Sequence, residues 1–216
     1  MRFAFLLLLL ASSTAARAQT EYILDGRPSA GFGLALLTGD GQSGFGVGLE
    51  ALATPRLGAS LTYSSTTAEV TEDFGGPSEV EARAFSVGLR VYPGRQGLDG
   101  PVTVGLGIGI GRLMEAEALA LNVGAVLARA FGPPEAGILF VPKLELGLVL
   151  ALSEAAAAAA QTLSAGLGVG LQVSPGTFLT LQPSAAITLN NQETDLLLVG
   201  TVGLSIALQG DGTSGG

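Results

Sequence analysis

The sequence predicts an all-β protein: a transmembrane antiparallel meander of ten strands closed into a barrel. Three observations predict it. Apolar residues recur with a period of two rather than 3.6. The repeating segments mostly run to 10–15 residues, longer than the five or six of ordinary strands. No segment carries the outer face of Lys, Glu and Arg that a water-exposed sheet needs. Composition agrees, because 48 % of the 216 residues are apolar, 13 % are charged and the mean hydropathy is +0.52. Soluble domains carry ~25 % charged residues, and disordered chains are charge-rich and poor in aliphatics. The sequence has no Cys and no His. That excludes a disulfide framework, thiol chemistry, and any triad, metal site or proton shuttle built on imidazole. No cofactor and no metal are expected.

Three regions divide the chain. Residues 1–18 read as a secretory signal peptide: a basic start at Arg2, nine apolar residues from Phe3 to Ala11, and Ala16-Arg17-Ala18 as an A-x-A cleavage site. Nine apolar residues cannot cross ~30 Å of hydrocarbon as a helix. Residues 19–208 form the barrel, and Gln209 to Gly216 trail as a flexible Gly-rich tail. Removing Arg2 and Arg17 leaves 8 basic against 18 acidic residues, a net charge of −10. That excludes a nucleic-acid footprint, which would be basic.

Ten alternating segments lie near 30–37, 43–53, 57–66, 80–92, 101–113, 117–130, 137–151, 161–173, 177–189 and 196–208. A tilted strand needs ~9–11 residues to cross a bilayer. One face carries bulky aliphatics, such as Leu119, Leu121, Val123 and Leu127, or Leu144, Leu146, Leu148 and Leu150. The other carries Gly, Ala, Ser, Thr and a few longer polar groups. A soluble barrel would turn the aliphatics inward; here they face lipid, and small and polar residues fill a narrow interior. Backbone groups in hydrocarbon must all be paired, so the sheet closes on itself.

The connections alternate in kind. Thr54-Pro55-Arg56, Pro93 to Pro101, Pro133-Pro134 and Ser174-Pro175-Gly176 contain proline, whereas the other five are acidic or polar. Short turns are periplasmic and longer loops external in such barrels, so the proline set and both termini are expected in the periplasm. Eight strands is the alternative count should the first or last hairpin be misread. Phe32, Tyr92, Phe131, Phe140 and Phe178 fall near strand ends on the proline side, the position of an interfacial girdle.

Signal, alternation and connection asymmetry together resemble the small bacterial outer-membrane β-barrel proteins of the OmpA/OmpX-like superfamily over the whole mature chain. The resemblance implies an outer-membrane location, lipid contact, and the barrel assembly machinery as a partner. It departs at the last strand, which ends Ile206-Ala207-Leu208 without the terminal aromatic residue common in that family. Some barrels of this kind are proteases or lipases, but their sites need histidine, so this chain is expected to be no enzyme.

Five readings concern particular positions. Gly39 to Gly44 spells G-x-G-x-x-G, but a strand rather than a helix follows it, so it reads as a tight turn, not a dinucleotide site. The row Gly105, Gly107, Gly109, Gly111 makes room for something longer from across the barrel. Glu50, Arg90, Lys143 and Glu145 share the inward parity of their strands at overlapping depths, giving a lumenal charge network joined by Gln172, Gln182 and Asn122. The stretch Ala68 to Glu81 reads as the longest outer loop, with Glu69, Glu72, Asp73, Phe74 and Glu79 as a candidate interaction surface. Ala155 to Ala160 read as a small-residue outer loop able to extend its flanking strands. The function expected is a non-catalytic outer-membrane barrel with a largely filled lumen, contributing to envelope structure or surface interaction. A narrow channel for small solutes, or binding by the loops, are the alternatives.

Overall fold

The computed structural model describes residues 23, 27–39, 41–71, 77–115, 117–132, 137–153, 157–189 and 194–208. Residues 1–18, expected as a signal peptide, and residues 209–216, expected as a tail, lie outside them. Ten strands follow in chain order: β1 (Ser29–Gly39), β2 (Gln42–Thr54), β3 (Leu57–Thr71), β4 (Pro77–Gly94), β5 (Thr103–Leu113), β6 (Ala118–Ala128), β7 (Ile138–Leu152), β8 (Ala157–Ser174), β9 (Thr177–Leu189) and β10 (Thr194–Ala207). Each pairs antiparallel with the next, and β1 pairs with β10 from Ser29↔Ala207 to Gly39↔Leu197, closing the barrel. The count is ten, not eight. The 11 residues of β5 or β6 extend ~36 Å, or ~25 Å across a bilayer at a tilt of ~45°.

Side chains alternate across the wall as period two requires. Leu36, Ile108, Ile110, Leu121 and Leu148 point outward and are exposed, Leu36 to 70 %. Glu50, Arg90, Asn122, Lys143, Thr180 and Thr201 point inward and are buried. Turn chemistry fits the hairpins. Thr54 Oγ1 accepts from the backbone N–H groups of Arg56 (3.3 Å) and Leu57 (3.1 Å), fixing the Thr-Pro turn between β2 and β3. Gly41 has φ +66°, which suits the two-residue connection from Gly39 to Gln42, so the G-x-G-x-x-G string is a hairpin turn.

Three expectations need correction. Ala68 to Glu81 is mostly not a loop: β3 and β4 stay paired out to Thr71↔Pro77, with Glu69 opposite Glu79. Beyond Tyr63 the outward face of β3 changes from Leu57, Leu61 and Tyr63 to Ser65 and Thr67, so the apolar alternation stops while backbone pairing continues. Connection lengths do not sort by end as expected either. The longest described spacings, 95–102 and 129–137, lie on the proline side. Finally, Tyr92 and Phe178 are not in an outer girdle; they are buried in the lumen at 1 % and 9 % exposure, while Phe32, Phe131 and Phe140 are exposed outside. The alanines Ala157 to Ala160 are strand, paired with Leu152 to Val149. Non-local pairing overrides their local helix preference.

A candidate site in the lumen

The lumen is built in three levels, set by which inward positions each strand carries at a given depth. At the acidic end, Ala68, Ala82, Ala84, Leu113, Ala118 and Ala120 belong to one buried apolar cluster that spans β3 to β8. At the proline end, Ile23, Ala130, Leu139, Val141 and Phe178 form a second. Charged and polar groups lie between them.

The middle level holds two ion pairs. Arg90 Nη1 on β4 approaches Glu50 Oε1 on β2 at 3.8 Å, and Lys143 Nζ on β7 lies 2.8 Å from Glu145 Oε1. Tyr92 bridges the first pair: its hydroxyl donates to Glu50 Oε1 (3.2 Å) and accepts from Arg90 Nη1 (3.3 Å). Taking unpaired charge out of water costs several kcal/mol per ion, so each carboxylate needs its cation and hydrogen bonds where it is. Arg90, Lys143 and Glu145 border one cavity of about 50 Å³, together with Asn122, Gln182 and Ser184. That is room for a few water molecules, not a solute passage. Asn122 Oδ1 is buried and has no hydrogen-bond partner among the described residues. Of the three polar residues expected to join the network, Asn122 and Gln182 line this cavity. Gln172 instead lies exposed near the proline end of β8.

The glycine row on β5 does make room, but for a neighbour rather than for a group from across the barrel. A Cβ on Gly105 would lie 2.6 Å from Val126 Cγ1 and 3.0 Å from Tyr92 Cε1. Gly109 and Gly111 face the backbone of β4, where a Cβ would meet Val87 O at 3.0 Å and Phe85 O at 2.9 Å. Tyr92 therefore lies against the bare part of β5 beside its own strand, packed with Leu52 and Val126.

The proline end is closed by groups the sequence reading did not single out. Arg95 is 2 % exposed. Its Nη1 donates to Pro55 O (2.8 Å) and its Nη2 to Ile23 O (2.7 Å), while its guanidinium lies 5.7 Å from the centre of the Tyr92 ring. One side chain thus ties the β2–β3 turn to Ile23, six residues ahead of β1. Gln96 acts similarly: its amide donates to Ala130 O (2.8 Å) and accepts from Ala130 N (2.5 Å). Asp99 accepts from the Arg95 backbone N–H (3.2 Å) and pairs with Arg56. The long β4–β5 connection is therefore a floor folded across the mouth. For Tyr92 a signal existed, since it lies two residues from inward Arg90 and shares its parity. For Arg95, beyond the regular alternation, there was none.

At the acidic rim Arg83 donates through its backbone N–H (2.7 Å) and Nε (2.6 Å) to Glu115. Burial pushes the Glu115 carboxyl up, but these hydrogen bonds outweigh it and hold the group below its usual range. Ser65 Oγ donates to Glu81 Oε1 (3.1 Å). Glu79 is exposed on β4. Glu69 is in β3, while Glu72, Asp73 and Phe74 lie outside the described residues. Among the described residues no three carboxylates converge as a metal site would require.

No protein-family model matches the chain, and no curated protein matches it. Solved structures do. The β domain of the Bordetella autotransporter BrkA is 11 % identical and covers 85 % of this chain and 100 % of its own, with a TM-score of 0.47. The translocator domain of the autotransporter NalP from Neisseria meningitidis is 13 % identical over 96 % of this chain and 97 % of its own, also at 0.47. Neisserial surface protein A is 11 % identical over 84 % and 97 %, at 0.36. The chain is similar to these barrels at low identity, and its own closed ten-strand pairing is what defines its fold.

Proposed function

We propose that this chain is a non-catalytic outer-membrane barrel with a closed lumen, serving as a membrane-embedded scaffold that displays an acidic rim. The observation that carries the reading is the inversion of the two faces. Exposed Leu, Ile, Val and Phe cover the outside, while Glu50, Arg90, Lys143 and Asn122 are buried inside. Soluble monomers rarely expose apolar patches above a few hundred Å², and a charge on the lipid face at mid-depth would cost ~2–4 kcal/mol. A lipid surround satisfies both faces at once. Residues 1–18 serve as the export signal, and both termini and the proline-containing connections lie in the periplasm. The acidic rim, with Glu79, Glu81, Glu115 and Glu117, then faces outward. Buried side chains at three levels of the lumen support a closed bore, and with it a function at the rim and wall rather than in transport.

Planar-bilayer recording of the purified mature chain tests this. Electrically silent bilayers, with a folded, heat-modifiable band on gels, are expected. Steady conductance altered by Lys143→Ala would instead assign the chain to the narrow channels.

A further inference from the structure

We infer that the outer wall at the proline end carries a binding site for the phosphate of an anionic phospholipid, centred on Arg129 and Phe131. The inference rests on the membrane reading above and adds a ligand to it.

Arg129 follows β6 and is exposed on the outward face, in line with exposed Leu127 and Phe131. Its guanidinium lies 4.7 Å from the centre of the Phe131 ring. The surrounding wall is apolar. Phe131 bridges to exposed Phe140, Leu127 pairs with exposed Leu144, and the Arg129 backbone N–H donates to Pro142 O (3.2 Å). Among the described residues Arg129 has no carboxylate partner. Arg56 is paired with Asp99 at the same end, and Arg83 with Glu115 at the other; Arg112, exposed at the acidic end of β5, has no carboxylate partner either, but among the described residues no ring stacks on it. Ring stacking restricts one face of the guanidinium and leaves its N–H edge to donate. A planar fork held at the edge of an apolar band matches two oxygens of a phosphodiester, whose acyl chains then run along Leu127, Phe140 and Leu144. An interfacial cation adds attraction to an anionic bilayer as well.

Native mass spectrometry of the mature chain, taken from micelles mixing phosphatidylglycerol and phosphatidylcholine equally, reads the preference directly. The wild type is expected to retain phosphatidylglycerol over phosphatidylcholine by about fivefold, the scale of one interfacial cation. Arg129→Gln should abolish the preference, Arg129→Lys and Phe131→Leu should reduce it, and Arg56→Gln should leave it intact. Retention that yields to excess glycerophosphoglycerol, the deacylated phosphodiester headgroup, but not to inorganic phosphate identifies a phosphodiester-bearing lipid. Displacement by inorganic phosphate alone would overturn the lipid assignment. Equal loss in Arg56→Gln and Arg129→Gln would overturn the site in favour of diffuse charge. A chain that inserts into phosphatidylcholine bilayers yet shows no preference overturns this inference and leaves the membrane reading standing; a chain that inserts into no bilayer overturns both.

Discussion

The two ends of the lumen are sealed by different means. The acidic end is filled by alanines with Leu113 and Val149, drawn from several strands and set in place by their pairing. The proline end is filled by Ile23, Leu139 and Phe178, and locked by Arg95 and Gln96 onto backbone carbonyls far away in sequence. The first seal is redundant, because each alanine contributes little and its neighbours remain. The second is specified, because single side chains satisfy polar groups from separate segments. Substitutions should therefore have graded effects, severe where long side chains meet and mild where small ones line a paired wall.

The largest effect belongs to the middle level. Arg90→Met leaves the Glu50 carboxylate, whose side chain is 1 % exposed, without its cation. A loss of about 3–5 kcal/mol is expected from breaking a buried pair, read as a lower unfolding midpoint in urea. Adding Glu50→Gln should restore part of it, and no recovery would mean that Arg90 acts through packing alone. Next comes Gly105→Val, which collides with Val126 and Tyr92. It should cost about 1–3 kcal/mol as overpacking, and Tyr92→Ala in the same chain should relieve it. An additive double variant would break the proposed fit.

Arg95→Ala removes the donors to Pro55 O and Ile23 O. About 1–3 kcal/mol follows if the carbonyls stay buried, with faster amide exchange confined to the proline end as the diagnostic. Ala118→Gly at the other seal should cost less than about 1 kcal/mol. Equal costs for these two would erase the contrast between the seals.

The smallest effect is pH-dependent. Glu115 has a lowered pKa in the folded chain, so the stability it contributes is present above its unfolded value. It is lost as pH falls through the folded value, in the acidic part of the carboxylate range. Exposed pairs give ~0–1 kcal/mol. Acid should therefore loosen the Arg83–Glu115 contact at the rim, and Glu115→Gln should remove that part of the response.

Strand number, order and facing were legible in the sequence because period two is imposed by lipid on one side and a crowded bore on the other. Parity placed Glu50, Arg90, Lys143 and Glu145 inside without any tertiary information. The reading went astray where a different cue was set against parity. Tyr92 and Phe178 lie near strand ends, where aromatics suit an interface, but their strands had already committed them inward. Alternation was not legible from Thr67 to Thr71 or from Ala157 to Ala160, where bulky residues no longer repeat on one face and backbone pairing continues the sheet. Arg95 and Gln96 were illegible because their partners are backbone groups of Pro55, Ile23 and Ala130, which leave no trace in side-chain pattern.

The inverted wall can be measured most directly by single-cysteine scanning, since the chain has no cysteine of its own. Spin labels placed in turn from Leu119 to Leu127 on β6, in lipid vesicles, would be exposed to oxygen and to a water-soluble nickel chelate. Oxygen collisions should peak at Leu119, Leu121, Val123, Ala125 and Leu127 and fall at the residues between, with the nickel chelate excluded from mid-strand. Nickel access at Leu121 and Val123, or no alternation along the strand, would contradict a barrel that turns its aliphatics toward lipid.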